Sequence, residues 1–162
     1  LPASGRVALN RMAHRLTDAA PDEALPPPDA PAGRNAQLVW LSDFLAPLPD
    51  IDRAICEFAG AGLTGHLVHL VDPAEEDFPY NGRTRFEWRP AKQNEIFGRA
   101  ESVREEYCRR FRAQADSVGE LARRVGWSYL VHRTDRRPET ALVALYANLG
   151  GIPAHDARAG AR

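Results

Sequence analysis

The chain of 162 residues carries 21 basic and 22 acidic side chains, a formal net charge of −1, and 44% apolar residues. That length suits one compact domain; the apolar share excludes a disordered chain, and the charge balance excludes a nucleic-acid binder that relies on bulk positive charge. No run approaches the ~20 apolar residues of a membrane span, no charged-then-apolar signal pattern opens the sequence, and Cys56 and Cys108 lack metal-ligand spacing, so a reducing cytoplasm is expected.

Leu1 opens the sequence and Met12 is its sole methionine, from which a longer parent polypeptide is expected. Leu9, Met12, Ala13 and Leu16 recur at helical spacing and predict an amphipathic helix over residues 6–20, stopped by Pro21. Residues 21–35, rich in proline and without periodicity, read as a surface loop. Leu38-Val39-Trp40-Leu41, ending at Ser42-Asp43, is a short continuous apolar run of the kind that forms a strand buried on both faces. Asp50 is then the expected cap of a helix over 51–60 with Ile51, Ile55 and Phe58 on one stripe. A second strand, Leu67 to Val71, completes a right-handed βαβ unit.

Asn81-Gly82, between Phe78-Pro79-Tyr80 and Arg83 to Phe86, predicts a two-residue hairpin over 77–88. Val103, Tyr107, Phe111, Val118, Leu121 and Val125 trace one face of a helix over 100–125, whose other face pairs Glu105/Arg109, Glu106/Arg110 and Glu120/Arg124. Trp127 to His132 is the third strand; Pro138 opens a last helix through Leu149, and residues 151–162 read as a flexible tail. The fold class is therefore α/β: a three-layer parallel sheet with helices on both faces, plus a surface β-hairpin. The 51–60 and 100–125 helices belong on one face, and the first and last helices on the other.

Ligands of such sheets sit beyond the carboxyl ends of the strands, where this chain places Asp43, Asp72 and Asp135. Carboxylates there suit a divalent cation, but Asp72 before Pro73 and Asp135 before the last helix also suit capping. Asp43 is seven residues short of the next helix's expected cap, so capping is not its obvious task. Ser42 lacks the flanking glycines of a nucleophile elbow. His66 and His69, three apart in a strand, point to opposite faces and with His132 read as structural histidines. Phe78, Tyr80, Arg83 and Arg85 form either an exposed docking ribbon or a patch packed on the long helix.

The runs Leu38 to Phe44, Gly65 to Glu76, Phe78 to Phe86 and Gly126 to Asp135 resemble the C-terminal half of a bacterial family of von Willebrand factor A-like proteins, often encoded beside MoxR-type AAA+ ATPases. The resemblance covers residues 5 to 150 and implies a Rossmann-type half of a doubly wound sheet and a metal-ion-dependent adhesion site, with Asp43 as a ligand. It implies a non-enzymatic protein-binding module, with Mg²⁺ in the full-length protein and none for this chain alone. Two departures stand out. Ser42-Asp43-Phe44 replaces the usual Thr-Asp-Gly, and no Asp-x-Ser-x-Ser string occurs. In the family's sheet order the strand at 37–42 pairs with a first strand that this sequence lacks, so an open edge, and self-association through it, is expected here. The alternative is a small Mg²⁺-dependent hydrolase using Asp43 and Asp72, for which the sequence offers no matching nucleophile or base.

Overall fold

The computed structural model describes residues 5–18, 36–88, 93–97 and 99–150. The loop expected at 21–35 and the tail at 151–162 lie outside them. In chain order the elements are α1 (Gly5–Asp18), β1 (Gln37–Ser42), α2 (Leu48–Gly60), β2 (Thr64–Val71), α3 (Pro73–Asp77), β3 (Thr84–Trp88), β4 (Gln93–Phe97), a 3₁₀ turn (Ala100–Ser102), α4 (Arg104–Arg124), β5 (Ser128–Arg133) and α5 (Pro138–Leu149).

The three apolar runs lie side by side as a parallel sheet ordered β1-β2-β5. Leu38 pairs with Gly65, Trp40 with Leu67, and Leu67 with Tyr129. α2 and α4 pack against each other over one face, and Trp40, Phe44, Ile51, Ile55, Phe58, Leu67, Val118, Leu121 and Trp127 form the core between them and the sheet. Ile51, Ile55, Leu67 and Val118 are fully buried; burying each such side chain contributes about 1.5–3 kcal/mol. α5 packs on β5 and β2 from the opposite face, where Val68 is buried outside the main core.

Three expectations are corrected. First, α2 starts at Leu48 rather than after Asp50. Pro49 fits its first turn because the N–H it lacks has no helical partner there, and Asp50 instead holds Arg53 at 2.6 Å. Second, Asn81-Gly82 is not the tip of a ribbon. The antiparallel ribbon is β3 with β4, Thr84 facing Phe97 and Trp88 facing Gln93, and Asn81-Gly82 lies in the loop before it. Tertiary bonds take the loop over: Arg104 donates to the Phe78 and Tyr80 carbonyls at 2.9 Å and to Asn81 Oδ1 at 2.8 Å, while Gly82 N donates to Glu101 at 2.8 Å.

Third, α1 does not cover the second face of the sheet. Val7, Leu9 and Met12 are 64%, 64% and 54% exposed. On α4's solvent face the Glu106/Arg110 pair forms as expected, while Arg109 binds Glu106 as well and Arg124 reaches across to Asp52 of α2. Exposed pairs of this kind contribute about 0–1 kcal/mol each.

Candidate functional site

The carboxyl ends of β1, β2 and β5 form one rim, and the three expected aspartates sit on it in different ways. Asp72 acts as a cap: its Oδ1 accepts from Ala74 N at 2.7 Å and starts α3, a short helix to which the sequence analysis assigned no element. Asp135 does not cap α5, whose capping residue is Arg137 with no side-chain bond. It accepts instead from Arg133 Nε at 3.2 Å and approaches Arg136, and the Arg133 hydrogen bond holds its carboxyl below the usual range. Arg133 also clamps Glu76 at 2.5 Å and Asp77 at 3.5 Å, tying β5 to α3.

Asp43 is exposed and folds back on its own turn, its Oδ1 accepting from Leu45 N at 3.2 Å and Ser42 Oγ accepting from Phe44 N at 3.1 Å. The residue after it is the unusual one. Phe44 has φ 49°, in the left-handed region where a side chain costs about 1–2 kcal/mol. It is held there by packing, being 1% exposed with its ring 5.1 Å from Trp40 and edge-on to His69 at 5.5 Å. Gln114 of α4 fixes the same turn by donating to the Phe44 and Ala46 carbonyls, both at 3.1 Å.

Beneath this turn lies His69, buried with its Nδ1 2.6 Å from Tyr129 Oη, and across the sheet His66 Nδ1 lies 2.8 Å from Ser128 Oγ. Both Nε2 atoms are buried without a hydrogen-bond partner among the described residues. Burial pushes both imidazoles down, opposed in His69 by the Asp43 backbone and carboxylate. Burial likewise raises the Tyr129 phenol to about 12. Glu75 completes the acidic side of the rim, its carboxyl pushed up by burial and by the charge of Asp43.

Sequence reading missed Glu75, Gln114 and Tyr129. Gln114 did leave a signal: it lies three residues after Phe111 and four before Val118, a polar residue on a buried stripe.

Of the ribbon at Phe78, Tyr80, Arg83 and Arg85, expected either to dock a partner or to pack on the long helix, the structure describes three side chains. Phe78 is buried, 5.2 Å from the Tyr80 ring and 4.7 Å from Tyr107 of α4, so for Phe78 the packed alternative is the one observed. Tyr80 and Arg83 are exposed, and the side chain of Arg85 lies outside the described residues. An open groove of about 650 Å³ runs between α3 and α4, lined by charges of both signs that include Glu76, Asp77, Arg104 and Arg112.

The described residues bring no group of three His, Cys, Asp or Glu side chains into a metal-binding arrangement.

Comparison with known proteins supplies the family. The family described as a protein of unknown function, DUF58, matches residues 1–117. The chain belongs to the DUF58 family. No curated protein matches it. A similar solved structure is the crystal structure of an uncharacterized membrane spanning protein from Vibrio fischeri, 13% identical, with a TM-score of 0.35. The match covers 91% of this chain and 54% of that one, so this DUF58 chain spans about half the length of the Vibrio protein. Among the described residues no helix is long and apolar enough to cross a membrane.

The buried histidines of this DUF58 chain give a pH prediction. Burial holds their folded pKa values below the ordinary imidazole value of about 6.5, so the unfolded chain binds protons first on acidification. Their contribution is complete above pH 6.5, falls as pH drops below it, and is gone once pH has passed through the folded values. Urea midpoints measured from pH 7.5 to 5 are expected to decline, and His69→Gln is expected to flatten part of that decline.

Proposed function

We propose that this chain is a non-enzymatic protein–protein interaction module of the von Willebrand factor A-like kind, acting with a MoxR-type AAA+ ATPase in a chaperone-like assembly. The observation that supports it is the setting of Asp43 at the rim: it is exposed, its Oδ1 accepts from Leu45 N, and Phe44 and Gln114 fix the turn on which it stands. A carboxylate displayed on a fixed turn at the strand ends loses little freedom on meeting a partner, and preorganisation of this kind favours recognition. Mg²⁺ belongs to this reading only with ligands from beyond the described residues, Asp43 being one of them.

The test is binding of the chain to an immobilised MoxR-type ATPase. Asp43→Ala is expected to weaken binding by about tenfold or more, as for loss of one hydrogen bond to a charged group, while circular dichroism stays unchanged. Absence of binding, or binding indifferent to Asp43, refutes the reading. A saturable Mg²⁺ heat from this chain alone that disappears in Asp43→Ala supports the Mg²⁺-dependent hydrolase instead.

A further inference from the structure

His69 stands beneath the Asp43 turn, almost out of reach of solvent. It is 2% exposed in β2, paired with Ser42 of β1 and Val131 of β5, and its ring lies 5.5 Å from Phe44 and 6.2 Å from Phe111 of α4. A buried imidazole among aromatic rings needs partners for both nitrogens. One has a partner: Nδ1 lies 2.6 Å from Tyr129 Oη, while Nε2 has none among the described residues. Tyr129 is placed in turn by α4. Its ring lies over Gly119, where an added methyl group would come within 3.1 Å of Cδ1, so glycine there leaves the phenol the room it uses to reach His69.

Two proton arrangements are compatible with the Tyr129–His69 contact. If Nδ1–H donates to Tyr129 Oη, the phenol proton and the Nε2 lone pair are both left without a partner among the described residues. If the phenol donates to Nδ1, a single Nε2–H is left over, and the Asp43 backbone, which favours a proton on this ring, offers it an acceptor. Each buried polar group left unpaired is costly, so the second arrangement is the more stable. We infer that Tyr129 and His69 are positioning residues for Asp43: the Tyr129 hydroxyl donates to His69 Nδ1, and the ring held in this way turns Nε2–H towards the Asp43 carbonyl and supports the ring of Phe44. No group changes its charge in this relay. It links a phenol on β5 to the carboxylate that follows β1, and it adds to the packing that keeps Phe44 at φ 49°, since such strain persists only where the surroundings over-determine it.

The relay's bearing on binding rests on the role proposed for Asp43; its proton arrangement and its hold on the turn do not. The first test is nitrogen-15 NMR of the imidazoles of the unaltered chain at about pH 7.5, where the rings are neutral. His69 is expected to carry its proton on Nε2, and a proton on Nδ1 overturns the relay. The second test is backbone relaxation of Tyr129→Phe, which keeps the ring over Gly119 and removes only the hydroxyl. Order parameters at Asp43, Phe44 and Leu45 are expected to fall from about 0.85 towards about 0.6, while those of Leu67 and Val118 hold. A turn as well ordered as in the wild type overturns the positioning role, as does a loosening spread evenly through the sheet, which is what a merely structural phenol would give. Gly119→Ala, a change that favours the helix itself but crowds the phenol, is expected to loosen the same three residues and decides the matter if Tyr129→Phe does not fold. Against the immobilised ATPase, Tyr129→Phe is expected to bind about fivefold more weakly, the cost of restoring freedom to one side chain. Wild-type chain that does not bind refutes the reading of Asp43, and the relay then stands or falls on the NMR results. Wild-type binding that Tyr129→Phe leaves unchanged overturns the relay's bearing on Asp43.

Discussion

Phe44→Ala is expected to cost about 3–5 kcal/mol in urea unfolding, the range for deleting a buried aromatic ring. Phe44 is 1% exposed, touches Trp40 and His69, and closes the core at the turn that carries Asp43. A loss of that size is a large fraction of the 5–15 kcal/mol that holds a typical domain together. The backbone adds a sharper expectation. With φ at 49°, alanine keeps the left-handed strain, whereas glycine is free of it. Phe44→Gly is therefore expected to be about 1 kcal/mol more stable than Phe44→Ala, reversing the usual order of the two residues. If glycine is the worse replacement, the turn is not strained in solution. The same comparison bears on function, because the strain sits beside the carboxylate proposed to meet a partner, and Phe44→Gly loosens that carboxylate's support.

What the sequence made legible follows from which interactions are local. The three strands are continuous apolar runs, so their existence and common direction could be read from Leu38 to Leu41, Leu67 to Val71 and Trp127 to His132, although the burial of both faces expected of β1 is not met, Leu41 being exposed. The misplaced hairpin shows the opposite case. Asn81-Gly82 favours a tight turn by itself, but Arg104 and Glu101, about twenty residues away, supply bonds to the Phe78, Tyr80, Asn81 and Gly82 groups that no local pattern announces. Asp43 was legible as a strand-end carboxylate. Its setting was not, since nothing in the type of residue 44 predicts a positive φ, and phenylalanine adopts one only where its ring is trapped. The exposed apolar residues of α1 and α5 mark a further limit. Leu9, Met12, Leu142 and Tyr146 repeat at the spacing of a buried stripe, yet all are more than half exposed. Periodicity states which face of a helix seeks cover, and the β1 edge with its exposed Leu41 has the same character.

Gly65→Ala is expected to destabilise by about 3 kcal/mol or more, the upper end for overpacking a close-packed core. Gly65 lies in β2 opposite Leu38, and a methyl group built on it would fall inside the Trp127 ring, against Cε3, Cδ2 and Cζ3. The ring has nowhere to go. Its Nε1 donates to the Leu63 carbonyl at 3.1 Å, its backbone N–H donates to the Ala122 carbonyl at 2.9 Å, and the side chain is 5% exposed. Moving the indole thus breaks a bond that ties the turn after α2 to the start of β5, and shifting β2 instead breaks register on both sides of the sheet. A double-mutant cycle separates this clash from any loss of glycine's own flexibility. Trp127→Leu opens the space, so Gly65→Ala should cost far less in that background than in the wild type, giving a coupling of about 1–3 kcal/mol. Additive effects would mean that the indole does not lie over Gly65, and with that the packing of β2 against β5 described above would be wrong.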